Sequence, residues 1–109
     1  MTRLTRAEYV TRLKERTRKQ ILTAAVRIAK RYGLAAVKRD AVAIEAGCGS
    51  GTVNFHFLSV RNLQDEVLRE ACRQRALKVI AEGIVGGYPA VINIPYALRI
   101  EAMASYNNS

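Results

Sequence analysis

Residues 46–57 read AGCGSGTVNFHF. Three glycines fall within five positions, and the apolar–polar run that follows holds the single histidine of the chain. Three readings compete: a phosphate-binding loop, a hinge, and a turn between two helices. A phosphate loop of the Walker type needs Gly-Lys-Ser/Thr after a strand. No lysine follows Gly51, and no segment reads convincingly as a strand. A hinge explains none of the neighbouring residues. The turn explains several. Gly47 permits the positive backbone angle at which two helices meet steeply across three or four residues, and small Ala43 and Ala46 let them approach closely. Gly51 inside a helix costs about 1 kcal/mol relative to alanine. That cost is explained where a side chain would hold the backbone away from a partner such as DNA. The short helix is too small to stand alone and must be presented by its neighbours.

On the N-terminal side, Ile21, Leu22, Ala25, Ile28, Ala29 and Tyr32 form one apolar stripe at a period near 3.6 residues. The pattern predicts a helix from Thr17 that Gly33 stops, with Lys30 and Arg31 suited to its negative end. A second helix is expected from about Lys38 to Ala46, with Val42 and Ala43 inward. The third covers roughly Ser50–Phe57. Val53 and Phe57, spaced i, i+4, point to the core, which turns Thr52, Asn54 and Phe55 outward and leaves His56 at the margin. Ser59 is the expected N-cap of a fourth helix carrying Leu63, Val67, Leu68, Ala71 and Leu77 and running to about Glu82. Gly83, Gly86 and Gly87 then break the chain, and Pro89 or Pro95 suits the first turn of a last helix. The tail is apolar on nearly every side and needs cover. The expected fold is all-α, without internal repeats. A basic arm or helix extension spans 1–16, a three-helix unit 17–60, and a fourth helix with a helical tail 61–109.

Charge is polarised along the chain. Residues 1–61 hold 13 basic and 4 acidic side chains, while residues 62–109 hold five of each, so the whole formal excess of +9 sits in the first part. This implies a polyanionic partner, nucleic acid ahead of an acidic membrane surface. Cys48 and Cys72 lie 24 residues apart with no second ligand at metal spacing, so neither a zinc site nor another cofactor is expected. Two free thiols and no apparent signal peptide suit a reducing cytoplasm. No apolar run approaches the roughly 18 residues of a membrane helix. A lone histidine without a nucleophile partner, and carboxylates (Asp40, Glu45, Asp65, Glu66) that read as helix-end and surface charges, argue against an enzyme.

Three stretches, ILTAAVRIAKRYGLAAV, VAIEAGCGSGTVNFHF and NLQDEVL, resemble the DNA-binding domain of TetR-type bacterial transcription regulators over about residues 17–68. The resemblance implies a helix-turn-helix whose Gly49–Thr52 start meets the major groove, through Ser50, Gly51 and Thr52. It implies that Asn54, Phe55 and His56 lie against sugar and phosphate. Asn54 stands where the family usually has tyrosine, Val60 where it has lysine, and Lys38 where a threonine caps the second helix. Arg61 is a candidate replacement for the lost lysine, and Lys38, Arg39, Arg6, Arg18 and Lys19 are candidate phosphate clamps. Only about 40 residues follow the matched region, too few to wall an effector pocket, so small-molecule sensing is not carried over. The expectation is a homodimer, with pairing into tetramers left open, joined through the apolar tail on double-stranded DNA. Repression is the default mode, and a phage or mobile-element circuit would suit a regulator without an effector domain. The rivals are a nonspecific architectural DNA binder and a protein-interaction adaptor or antirepressor that keeps the fold.

Overall fold

The structure, a computed structural model, describes residues 3–108; Met1, Thr2 and Ser109, at the outer ends of the expected arm and tail, lie outside it. All regular structure among the described residues is helical. Six α-helices follow in order: α1 (Arg6–Tyr32), α2 (Arg39–Ala46), α3 (Ser50–His56), α4 (Val60–Arg73), α5 (Leu77–Val85) and α6 (Tyr96–Asn107). Short 3-10 turns at Leu34–Ala36 and Pro89–Asn93 join α1 to α2 and α5 to α6. No helix among the described residues is long and apolar enough to cross a membrane.

Of the two forms expected for residues 1–16, residues 6–16 take the helical one. The cause lies at Thr5. Its hydroxyl accepts the Glu8 amide at 3.1 Å and donates to the Glu8 carboxylate at 3.1 Å, a close relative of the capping box. The helix then runs 27 residues, about 40 Å at 1.5 Å per residue, along a molecule whose long axis is 52 Å. No residue from Arg3 to Arg16 is buried, so the first three turns of α1 project beyond the core. The buried part begins at Ile21 and continues through Ala25, Ile28 and Ala29, as the stripe predicts.

α2 and α3 pack on α1 and on each other across the corner Gly47–Gly49. Gly47 sits in the left-handed region at φ +72°, and the Cys48 and Gly47 amides return to the carbonyls of Ala43 and Ile44. This pair of bonds is the Schellman arrangement, which satisfies the last carbonyls of α2. Cys48 follows as a half-buried residue against the core. Lys38 occupies the N-cap of α2 without any side-chain cap bond. Ser59 caps α4 as expected, its hydroxyl accepting the Asn62 amide at 3.0 Å.

The fourth helix is shorter than its sequence suggests. It ends at Arg73 rather than near Glu82, and Leu77 begins a separate helix, α5. The stop is another Schellman arrangement, in which the Arg75 and Ala76 amides bond to the carbonyls of Cys72 and Ala71. Arg75 holds the left-handed position at φ +53°, where glycine is usual. With no glycine to mark it, the break is silent in the sequence. Of the two prolines, Pro89 opens the 3-10 turn and Pro95 precedes α6 as its N-cap. The tail folds back, so that α6 covers α5 with Leu98 and Ala102. One apolar core runs continuously from Ile21 to Ala102 through Val53, Phe57, Leu63, Val67 and Ile80.

Candidate nucleic-acid interface

α3 is seven residues long, with Val53 and the following Phe57 fully buried and holding it to the core. That anchoring decides what faces out. Asn54 is exposed, Phe55 is 65% exposed and His56 is half-buried, as the i, i+4 spacing predicts, whereas Thr52, expected outward, is itself half-buried. Neither the Thr52 hydroxyl nor the Asn54 amide has a hydrogen-bond partner among the described residues. A Cβ added at Gly51 would meet nothing within 4 Å, so the backbone there is open to a close approach from outside. Gly49 is the N-cap, in extended conformation and without a side-chain cap.

Ser50 differs from its neighbours. Its hydroxyl donates to the Asp40 carboxylate at 2.7 Å, which ties the start of α3 to the first turn of α2. The ion pair of Arg27 and Glu45, 3.1 Å, fastens the far end of α2 to α1 in the same way. These two links hold the corner as a unit.

The cations are distributed more selectively than the linear charge pattern implies. Lys14, not singled out by the sequence, places its ammonium 5.7 Å from the Phe55 ring centre. One turn later the Arg18 guanidinium lies 4.6 Å from the buried Phe57 ring and 3.8 Å from the Glu66 carboxylate. The i, i+4 spacing of Lys14 and Arg18 on α1 is the signal that could have found this pair. The Phe55 and His56 rings meet edge to face at 5.1 Å. The imidazole is held below its ordinary pKa of 6.5, first by partial desolvation and then by Arg18 and Lys14. Arg39 shares with Asn54, Leu58, Ser59 and Val60 a cleft of about 210 Å³, and Lys38 precedes it on the exposed rim of α2.

The other candidate clamps have their own neighbours. Arg61 lies over the Tyr88 ring at 5.5 Å. Lys19 is one residue past Arg18, about 100° around the helix, and faces a groove toward Glu70 and Arg73. Arg6 begins α1, about 12 Å along the helix axis from Lys14. Two large apolar side chains that sequence reasoning did not place outside, Ile44 and Leu58, are strongly exposed on α2 and just after α3. No protein-family model, curated protein or solved structure matches the chain.

Proposed function

We propose that the protein is a sequence-specific double-stranded DNA-binding transcription regulator of the TetR type, acting as a homodimer with α3 as its recognition helix. The observation that carries the reading is the outward face of α3. Unpartnered Thr52 and Asn54 and an uncrowded Gly51 have cations from two other helices close by, Lys14 beside Phe55 and Arg39 in the cleft with Asn54. A short helix of this kind enters the major groove, about 12 Å wide, while flanking Lys and Arg meet the phosphates. Exposed Phe55 would meet a thymine methyl or a sugar. Ser50, engaged by Asp40, acts on DNA through its backbone rather than its hydroxyl. In a dimer the two helices would reach half-sites roughly 34–36 Å apart or a multiple of that spacing. Repression by occupying the operator is the simplest output.

Selection of bound sequences from random duplexes tests the reading: an enriched, near-palindromic site supports it, and no enrichment favours a nonspecific architectural binder. Thr52→Ala should cost about 1–2 kcal/mol on the selected site and little on random DNA. An equal loss on both would remove base readout. One observation favours a second reading. Exposed Phe55 and Leu58 beside half-exposed Val60 form an apolar edge that an adaptor or antirepressor could offer to a protein partner. A gel shift against genomic fragments with no retarded band would favour it.

A further inference from the structure

We infer that α1 carries a second nucleic-acid surface, on the side away from α3, and that this surface takes the sugar–phosphate backbone of a second duplex so that the protein bridges two DNA segments. The inference rests on α3 being the first DNA-binding face. At about 100° per residue, Arg12, Arg16, Lys19, Arg27 and Lys30 lie about 140–160° around α1 from Lys14, whose ammonium marks the α3 side. All five are exposed. Arg16, Lys19 and Arg27 line one open groove of about 430 Å³ with Gln20, whose amide can donate to phosphate oxygens, and with Thr23 and Glu45; the Thr23 hydroxyl donates to the Lys19 carbonyl at 2.8 Å.

The stripe is cationic on balance. Arg12 and Arg16 have no ion-pair partner among the described residues. Of the carboxylates that border it, Glu45 is occupied by Arg27 and Glu70 by Arg73 at 2.6 Å, while Glu15 lies at the edge. The row from Arg12 to Lys30 is roughly 27 Å long on a continuous helix, about eight phosphate steps of one strand. Exposed apolar side chains (Tyr9, Val10 and Leu13) lie at the N-terminal end of the row, and from Arg16 to Lys30 no large one is exposed. A lipid surface needs an apolar edge along the whole face to sink into the bilayer, so the chemistry from Arg16 to Lys30 matches a polyphosphate backbone.

The test uses the full chain, the double variant Arg12→Glu/Arg16→Glu, and the double variant Lys14→Glu/Phe55→Glu, all of exposed residues, with circular dichroism confirming the fold. A random-sequence duplex is immobilised, protein is added, and capture of a second, fluorescent duplex is measured. The wild type should capture it. Arg12→Glu/Arg16→Glu should lose capture about tenfold or more while still binding one duplex, with a salt slope lower by roughly two. Lys14→Glu/Phe55→Glu should retain weak, salt-sensitive binding to one duplex. Unchanged capture by Arg12→Glu/Arg16→Glu would overturn the inference and assign bridging to paired α3 faces. So would Lys14→Glu/Phe55→Glu binding phosphatidylglycerol vesicles but no duplex, or a wild type that captures nothing. Failure here leaves any selected operator site intact, whereas failure of base readout leaves capture intact.

Discussion

Arg75 stores strain that a single substitution can release. A non-glycine residue at positive φ costs about 1–2 kcal/mol, and Arg75 receives in return only an exposed ion pair with Glu101, worth at most about 1 kcal/mol. Arg75→Gly should therefore raise the free energy of unfolding by about 0.5–1 kcal/mol in urea titration, whereas Arg75→Ala, which keeps the strain and loses the pair, should not. A fall with glycine would show that the backbone there is not strained. His56 makes a prediction about pH. Its folded-state pKa lies below 6.5, so on acidification the unfolded chain takes up the proton first. Stability is then unaffected above about pH 7 and declines as pH falls through 6.5 toward the folded value. His56→Gln should flatten that slope in thermal melts. If α3 meets DNA as proposed, the sign reverses on a bound duplex, because a phosphate beside the ring favours the charged form. Wild-type affinity should rise on acidification, and the glutamine variant should not follow it. Parallel pH profiles for the two proteins would place the imidazole away from phosphate.

The helices were legible in proportion to how local their signals are. Gly33 and Gly47 end α1 and α2 where the sequence marks them, and Ser59 starts α4, because caps act within one turn. The Thr5–Glu8 spacing also marks the start of α1, but the surrounding charges masked it. The stop at Arg75 was not legible, since it is enforced by packing of α5 across α4. There Gly83 lies so close to Leu68 that an added Cβ would come within 2.7 Å of a leucine methyl. In the candidate site, the burial of Val53 and Phe57 followed from periodicity. The Ser50–Asp40 bond and the turn of Arg61 toward Tyr88 depend on contacts between elements, which spacing does not encode. The corner itself can be probed. At Gly47 only the backbone resists a side chain, so Gly47→Ala should cost about 1 kcal/mol. At Gly33, φ is +101° with ψ 159°, a region essentially confined to glycine, so Gly33→Ala should cost more than Gly47→Ala in denaturant unfolding, with the Glu82 carboxylate moving aside for the added Cβ. The reverse order would mean that the α1 end is the more adaptable of the two.

At the scale of the molecule, the polarised charge and the apolar tail divide the labour: one end offers cations, the other an uncovered face. α6 buries Leu98 and Ala102 against α5, yet Tyr96 is 71% and Ile100 52% exposed, one turn apart on the opposite side, and Ile92 before them is 82% exposed. Apolar side chains grouped in this way suit an isologous contact, in which the same surface of a second copy buries them around a two-fold axis. A two-fold pairing is also what a near-palindromic operator demands, since each α3 must meet an equivalent half-site. Tyr96→Glu/Ile100→Glu changes two exposed residues, so the subunit should stay folded. In light scattering the mass should fall from dimer to monomer. Affinity for the full site should drop by about 10²-fold or more, because the second half-site contact loses its effective concentration, while affinity for an isolated half-site stays the same. The pairing of these two readouts is decisive. A monomer that still bound the full site tightly would separate operator recognition from dimerisation. An intact dimer would move the interface to another bare apolar stripe, such as Tyr9, Val10 and Leu13 on the projecting turns of α1, and would put the two proposed recognition helices at a different spacing on a duplex.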